Sequence, residues 1–445
     1  MITDASFPSV SVIIPTHNRC ASLQRTLDAL CLQTYPASLL EVLIVTDRCV
    51  DETAAMLSRY AAPFRLNVFI LKDPAQGPAS ARNLGATAAT GHLLLFIDDD
   101  VEPKPSLVMA HVQAHQEHFG RVVIGPYFPA VQGRVDYLRQ QMRRWWEDKF
   151  HTIQQPGHRF SYCDVLSGNL SLEAAMFRHV GGFDPAFPCA HEDYELGIRL
   201  MNADATICFV PEALALHHEH ESTNLGRTFQ RARLEGRADV LIGHRHPDLR
   251  PSLPLAKLQQ PSGVLKKVVH ILAYRYGRLG DAVASLVQLI LNPAEHLHFH
   301  SRWGRLYRGL RYYWYLRGVA EQIGTHGDLV AFVQEAPVRL FQDDLDLQID
   351  LADGIESAEQ QLDHDRPRSV GLRYGQQLIG RIHPGLGLER IRGRHLRPIL
   401  ATDLALPFVQ ALAVDGAICS EQSLLPDIRF TTSKNLATPH VNKNH

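Results

Sequence analysis

The chain has 445 residues, 45% of them hydrophobic and 21% charged, with a formal net charge of -2. It is too long for one ordinary domain, and its balanced charge gives no global sign of nucleic-acid binding, so no nucleic-acid partner is expected. The seven cysteines form no C-x-x-C pair and are odd in number, which argues against a full disulfide set and for a reducing, cytoplasmic interior, and neither a signal peptide nor an apolar run of roughly 18 residues that would span a membrane is recognisable.

Val10 to Ile14 reads as a short apolar strand that stops at Pro15-Thr16-His17-Asn18-Arg19. Ser22 to Leu32 carries Leu23, Leu27 and Leu30 at helical spacing, with Ser22 as a plausible N-cap. Val42 to Val45 is the next strand, and the polar loop Thr46 to Thr53 opens a helix through Met56 and Tyr60. Leu66 to Leu71 is a third strand, Gly77-Pro78 a break, and Ala79 to Ala89 a helix of small residues. Leu93-Leu94-Leu95-Phe96-Ile97 is an unbroken apolar run, too short for a typical helix, and reads as a strand buried on both faces. Alternation of this kind predicts a parallel, doubly wound sheet. No G-x-G-x-x-G follows the first strand, which disfavours a dinucleotide fold, and the absence of Gly-Lys-Ser/Thr excludes a P-loop.

That buried strand ends in Asp98, Asp99 and Asp100. Like charges this close repel, and at least one is hard to ionise without a counter-cation. A divalent cation with oxygen ligands, its shell completed by a phosphate-bearing substrate, resolves the repulsion at the strand end where α/β sheets gather ligands. An isolated Asp triplet also serves as a plain acidic surface turn, so the weight rests on its surroundings.

Val12 to Arg19, Asp47 to Thr53, Ala81-Arg82-Asn83-Leu84-Gly85 and Phe96 to Asp100 resemble, in order, the signature of glycosyltransferase family 2. The resemblance continues through Ser167-Gly168-Asn169, Gly181-Gly182-Phe183-Asp184 and His191 to Leu200, and covers roughly residues 8 to 220. It implies a GT-A fold and inverting sugar transfer from a nucleotide-diphosphate donor, with a UDP-sugar favoured, to a glycan or lipid-linked acceptor of cell-envelope or polysaccharide biosynthesis. By the same resemblance, Pro15, Thr16, Asn18, Arg19 and Asp47 hold base and ribose, and Arg82 lies near the diphosphate. Asp98, Asp99 and Asp100 form the D-x-D region: Asp98 reaches the ribose or a metal-bound water, and Asp100 ligates Mn2+ or Mg2+. His217 in His217-His218-Glu219-His220 matches the place of a further ligand, with His218 and His220 as alternatives. Asp193 is expected to be the general base, with Glu192 supporting acceptor or loop, and burial of Asp193 would raise its pKa toward a useful range. The chain departs from the family at Thr46-Asp47-Arg48-Cys49, where two acidic residues before Gly-Ser are usual. Two rival readings are a degenerate transferase serving as carbohydrate-binding or scaffold protein, and a nucleotidyltransferase, which the Glu192-Asp193 element disfavours.

The expected division is a catalytic domain over 1–225, a mainly helical basic and aromatic segment over 226–328, a small β-rich domain of unknown role over 329–419, and a disordered tail over 420–445. Trp145 and Trp146 are candidates either for stacking on a sugar or for the core. Pro247 to Pro261 looks like a linker. The cations between Lys266 and Arg317, interleaved with Tyr307, Tyr312, Tyr313, Trp314 and Tyr315, fit either a helical bundle with a solvated basic face or peripheral contact with the inner membrane face. Leu345 to Leu351 alternates with period two, Ser369 to Ile382 contains a second such stretch around Tyr374-Gly375, and Arg390, Arg392, Arg394, His395 and Arg397 form a basic cluster.

Overall fold

The computed structural model describes residues 7–71, 77–117, 120–130, 136–187, 189–218, 223–291, 300–336 and 347–414. His220, the first residues of the stretch expected from Leu345, and the expected tail lie outside these. The described chain forms two compact units, one built on residues 1–344 with 384–390 and one on 345–383 with 391 onward.

Strands β1 (Val10–Thr16), β2 (Leu40–Asp47) and β3 (Arg65–Leu71) alternate with helices α1 (Cys20–Leu30), α2 (Thr53–Arg59) and α3 (Gly77–Ala88), and β4 (Leu93–Ile97) runs into the aspartates. Every residue of β4 is buried, as its unbroken apolar run requires. Ser22 lies inside α1 rather than capping it; the Asp51 carboxylate accepts the N–H of Cys20 at 3.0 Å and does the capping from across the loop. Gly77 and Pro78 open α3 instead of preceding it, because proline has no N–H to lose in a first helical turn.

Beyond β4 come β5 (Val101–Pro103), α4 (Leu107–Glu117), β6 (Arg121–Ile124), β7 (Tyr127–Pro129), α5 (Tyr137–Ile153), β8 (Asn169–Glu173), α6 (Ala174–His179), α7 (Glu192–Asn202), β9 (Thr206–Phe209) and β10 (Ala215–His217). The main sheet has the order β3-β2-β1-β4-β8-β6-β9, with a small second sheet β5-β10-β7. Pairing is parallel from β3 to β4 and between β6 and β9, and β8 runs antiparallel to both its neighbours. Successive strands step outward from β1 to β3, and the chain then returns to place β4 on the other side of β1. A crevice therefore opens at the carboxyl ends of β1 and β4, where the winding reverses.

Helices α8 (Leu225–Arg245), α9 (Val264–Arg275), α10 (Gly277–Gln288), α11 (His300–Ile323) and α12 (His326–Gln334) belong to the same unit as the sheet. Their core, around Trp303, Tyr307, Tyr313 and Leu316, also takes in Tyr137, Tyr162, Phe187 and Ile198. The aromatic residues of α11 thus largely face inward. Helices α8 and α11 cross at backbone distance: a Cβ on Gly236 would collide with the carbonyl of Tyr315, and one on Gly318 with the carbonyl of Arg233. The proline-rich stretch is no linker. It forms two short 3-10 turns, Pro247–Ser252 and Pro254–Leu258, that bury Leu249, Leu253, Leu255 and Leu258, because its leucines outweigh its prolines.

In the second unit β11 (Leu347–Asp350), β12 (Val370–Tyr374) and β13 (Gln377–Ile382) form a sheet with a hairpin turn at Gly375. Helices α13 (Ile355–Asp365), α14 (Gly393–Ala401) and α15 (Ala405–Val414) share its core through Leu362, Leu396 and Phe408. The basic cluster is drawn into internal bonds: Arg397 pairs with Glu359 at 2.8 Å, and the buried His395 accepts the Arg392 N–H at 2.9 Å.

Candidate active site

The aspartates that end β4 turn to different partners. Asp98 accepts from Arg82 Nη2 at 2.7 Å. Asp99 points inward and accepts from Thr16 Oγ1 and Arg19 Nη1, each at 2.8 Å. Asp100 accepts from Arg19 Nη1 at 2.8 Å, and its other oxygen lies 3.4 Å from His217 Nε2. Burial lifts the Asp99 carboxyl to about 7, with the Asp100 charge adding to the effect and Arg19 opposing it. Burial acts in the same sense on Asp100, but His217 and Arg19 overcome it and hold that group well below the usual carboxylate range. The repulsion expected of the triplet is thus divided among two arginines, a histidine and one reluctant acid.

Loops from β1 and β2 form the adjoining wall. Pro15 is half-buried and Thr16 buried at the end of β1. Asn18, in the left-handed region at φ 53°, accepts the Val50 N–H at 2.8 Å and ties the two loops together. The Asp47 carboxylate is 3.4 Å from Arg48 Nε, and its carbonyl bonds the His17 ring.

Arg82, buried in α3, spans the crevice: Nη2 bonds Asp98 and Nη1 bonds Glu192 at 2.9 Å. A planar guanidinium suits such a bridge between two carboxylates, and a lysine could not reproduce it. Glu192 and Asp193 open α7, with Glu192 buried and Asp193 half-buried. Asp193 accepts the Tyr194 N–H at 2.9 Å and lies 3.4 Å from the Ser167 N–H. The next residue, Gly168, sits against Asp98: a Cβ there would be 3.0 Å from Asp98 Oδ2. Ser167-Gly168 thus touches both Asp193 and Asp98, and the Arg82 bridge ties Asp98 to Glu192 beside Asp193. Burial, reinforced by the Glu192 charge, raises the Asp193 carboxyl to about 6.

Asp100 and His217 place a carboxylate oxygen and an imidazole nitrogen side by side, a donor pair compatible with Mn2+ and less suited to oxygen-seeking Mg2+. Asp98 is directed to Arg82, and His218 bonds Glu102 at 2.9 Å. Among the described residues no three His, Cys, Asp or Glu side chains come together as a complete metal site. Phosphate oxygens of a bound substrate would have to complete the shell.

Residues 11–180 match the family model described as Glycosyl transferase family 2. The chain carries a glycosyltransferase family 2 domain. Validoxylamine A glucosyltransferase of Streptomyces hygroscopicus subsp. jinggangensis is 30% identical over 269 residues, 55% of this chain and 63% of the relative. A probable glycosyltransferase of Bacillus subtilis is 28% identical over 222 residues, 48% of this chain and 52% of the relative. The chain thus spans rather less than two thirds of the length of these curated relatives. A mannosyltransferase from Pyrobaculum calidifontis, solved with GDP-Man and Mn2+, aligns over 72% of this chain and 88% of its own at 16% identity and a TM-score of 0.45, a likeness too low to carry its ligands across.

Beside Glu192-Asp193 lie residues to which the sequence assigned no role. His191, just before Glu192-Asp193, has a left-handed backbone, stacks on Tyr194 at 4.5 Å, and pairs with Asp239 of α8 at 2.9 Å. Burial alone would lower the His191 pKa, but the Asp239 hydrogen bond and charge raise it above the ordinary value. Tyr315 of α11 donates to Asp239 as well. The signal was an aspartate within the apolar row Ala238-Asp239-Val240. Trp146 stacks on Phe150 and lies edge-on to His217 at 5.2 Å, walling the crevice, and Trp145 is partly exposed beyond it.

Proposed function

We propose that this protein is an inverting glycosyltransferase that moves a sugar from a nucleotide-diphosphate donor, with UDP-sugar favoured, to a hydroxyl of a glycan or lipid-linked acceptor. The observation that carries the reading is the placement of Asp193, half-buried at the start of α7 and in contact with Ser167, next to the Gly168 that packs on Asp98 at the end of β4. The β1 and β2 loops, with Asn18, Arg19 and Asp47, hold the nucleoside, and Asp98 takes the ribose side. Asp100 and His217 would hold a divalent cation, which supplies charge neutralisation for the departing diphosphate.

Asp193 accepts the proton of the acceptor hydroxyl as its oxygen attacks the anomeric carbon. The carbon–oxygen bond to the diphosphate breaks on the opposite face, and the configuration inverts. Near neutral pH a group of pKa about 6 is mostly ionised yet still basic enough to take that proton. Arg82 fixes Glu192, and through it the start of α7 that carries the base. The names of the two relatives, a glucosyltransferase and a probable glycosyltransferase, agree with this reaction class.

The test is thermal stabilisation of the full chain by UDP, GDP and dTDP, each with and without Mn2+. A ligand that binds only the native state raises the melting temperature by mass action. One nucleotide should stabilise in a metal-dependent way, and Asp100→Ala should remove the effect. Stabilisation by none of them would overturn the donor-site reading.

A further inference from the structure

Helices α9 and α10 have two unlike faces. The inner face, with His270, Ala273, Gly280 and Ala284, is buried. It is fastened to α11: His270 bonds the Tyr312 hydroxyl at 2.7 Å, and Tyr313 donates to Asp281 at 2.7 Å. The outer face carries Leu265, Val268 and Ile271 on α9 and Leu279, Val283 and Leu286 on α10, at helical spacing and all exposed, with Leu265 77% accessible. Tyr276 between the helices, and Leu289 and Ile290 after them, extend the same exposure. An apolar surface this continuous is unusual on a protein with nothing covering it.

The charges on this face share one sign. Lys267, Arg275 and Arg278 are exposed along it, while Lys266 turns toward α11 with its ammonium 5.8 Å from the centre of the Tyr312 ring. The one acidic residue from 263 to 290, Asp281, is half-buried and already engaged by Tyr313 and by Arg317 at 3.2 Å. The tyrosines and tryptophans of α11 are not part of the face, since they pack into the helical core. No single described helix is long and apolar enough to cross a membrane, so a surface-lying arrangement is the one open to this segment.

We propose that the outer face of α9–α10 docks in the plane of an anionic lipid surface, leucines entering the acyl boundary and the three cations meeting the head groups. Charge complementarity selects this occupant. A second copy of the chain packed face to face would set the same cations against each other, whereas anionic head groups neutralise them. The inference rests on the helical segment alone and stands whether or not the sugar-transfer reading holds.

The test is co-sedimentation of the full-length protein with vesicles of phosphatidylcholine alone and of equimolar phosphatidylcholine and phosphatidylglycerol, at low and high salt. Binding is expected to the anionic vesicles, and to weaken with salt. Each charge reversal among Lys267→Glu, Arg275→Glu and Arg278→Glu should weaken it by about fivefold or more. Leu265→Glu and Leu279→Glu should each weaken it by about tenfold or more through lost apolar burial and an added negative charge. These positions are exposed, so the fold is expected to persist, and an unchanged melting temperature verifies it. No binding to anionic vesicles, or binding indifferent to all five substitutions, overturns the proposal. Concentration-dependent self-association that Leu279→Glu abolishes would assign the face to a second copy and overturn it equally.

Discussion

Replacing Asp193 by asparagine should separate function from stability. The Asp193 carboxyl is raised from 3.8 to about 6, by burial first and by the Glu192 charge second. Its folded-state value lies above its unfolded one, so the native state holds the proton more tightly. The stability linked to that proton is complete below about pH 3.8 and is lost as pH rises through about 6. A shift of roughly two units corresponds to at most ~3 kcal/mol, and because the group is only half-buried we expect about 1–2 kcal/mol to be realised. Asparagine has nearly the same shape, keeps an oxygen for the Tyr194 N–H, gives up only the long 3.4 Å contact from the Ser167 N–H, and has no charge to desolvate. Asp193→Asn should therefore be more stable than the parent by about 1–2 kcal/mol near pH 8, with the difference vanishing toward about pH 4. Urea unfolding at both pH values gives these differences directly. Sugar transfer should be abolished in the same variant, while stabilisation by donor nucleotide persists. A variant no more stable than its parent near pH 8, or an offset equal at both pH values, would refute the argument that this carboxylate is held ionised at a cost.

If Asp193 is the base, the transfer rate should rise as pH increases through about 6, and a flat profile from about pH 5 to pH 8 would reject the assignment. Arg82→Ala leaves Asp98 and Glu192 without their shared cation and should cost about 3–5 kcal/mol in chemical denaturation, whereas a loss under about 1 kcal/mol would mean the bridge is not structural. Gly318→Ala drives a methyl group into the Arg233 carbonyl at the α8–α11 crossing and should destabilise by about 3 kcal/mol, read as a lowered urea midpoint. Asp239→Asn removes the charge facing His191, and should lower the transfer rate more than it weakens nucleotide binding; equal effects on both would mean that the pair does not position the base.

Much of the transferase sheet was legible because its strands are apolar runs ending in polar loops: Val10 to Ile14, Val42 to Val45 and Leu93 to Ile97 all lie inside observed strands. The crowding of Asp98, Asp99 and Asp100 was also legible as a charge problem, since like charges at a buried strand end need partners. Which partner goes to which aspartate was not. Arg19 and Arg82 come from different loops and helices, and only the folded crevice sets them against Asp99 and Asp98. Pro247 to Pro261 misled because prolines signal turns whether or not the intervening leucines are buried. The inward turn of the α11 aromatics was equally hidden, since a basic helix with tyrosines has the same composition on a surface and in a bundle. Asp239 escaped because its partner His191 lies 48 positions earlier in the numbering, a separation that local periodicity does not register.

The glycine crossing of α8 and α11 bears on how such a chain is inherited. Motif similarity fades near residue 220, which invites the idea of an exchangeable module joined at that seam. Yet α8 supplies Asp239 to the residue preceding the Glu192-Asp193 pair, and α11 reaches the same aspartate through Tyr315. With Gly236 and Gly318 fixing the register of the two helices, a gene fusion cut at the seam would part the loop from its support. Recombination that keeps these contacts must carry the sheet and the helices together, as one heritable cassette.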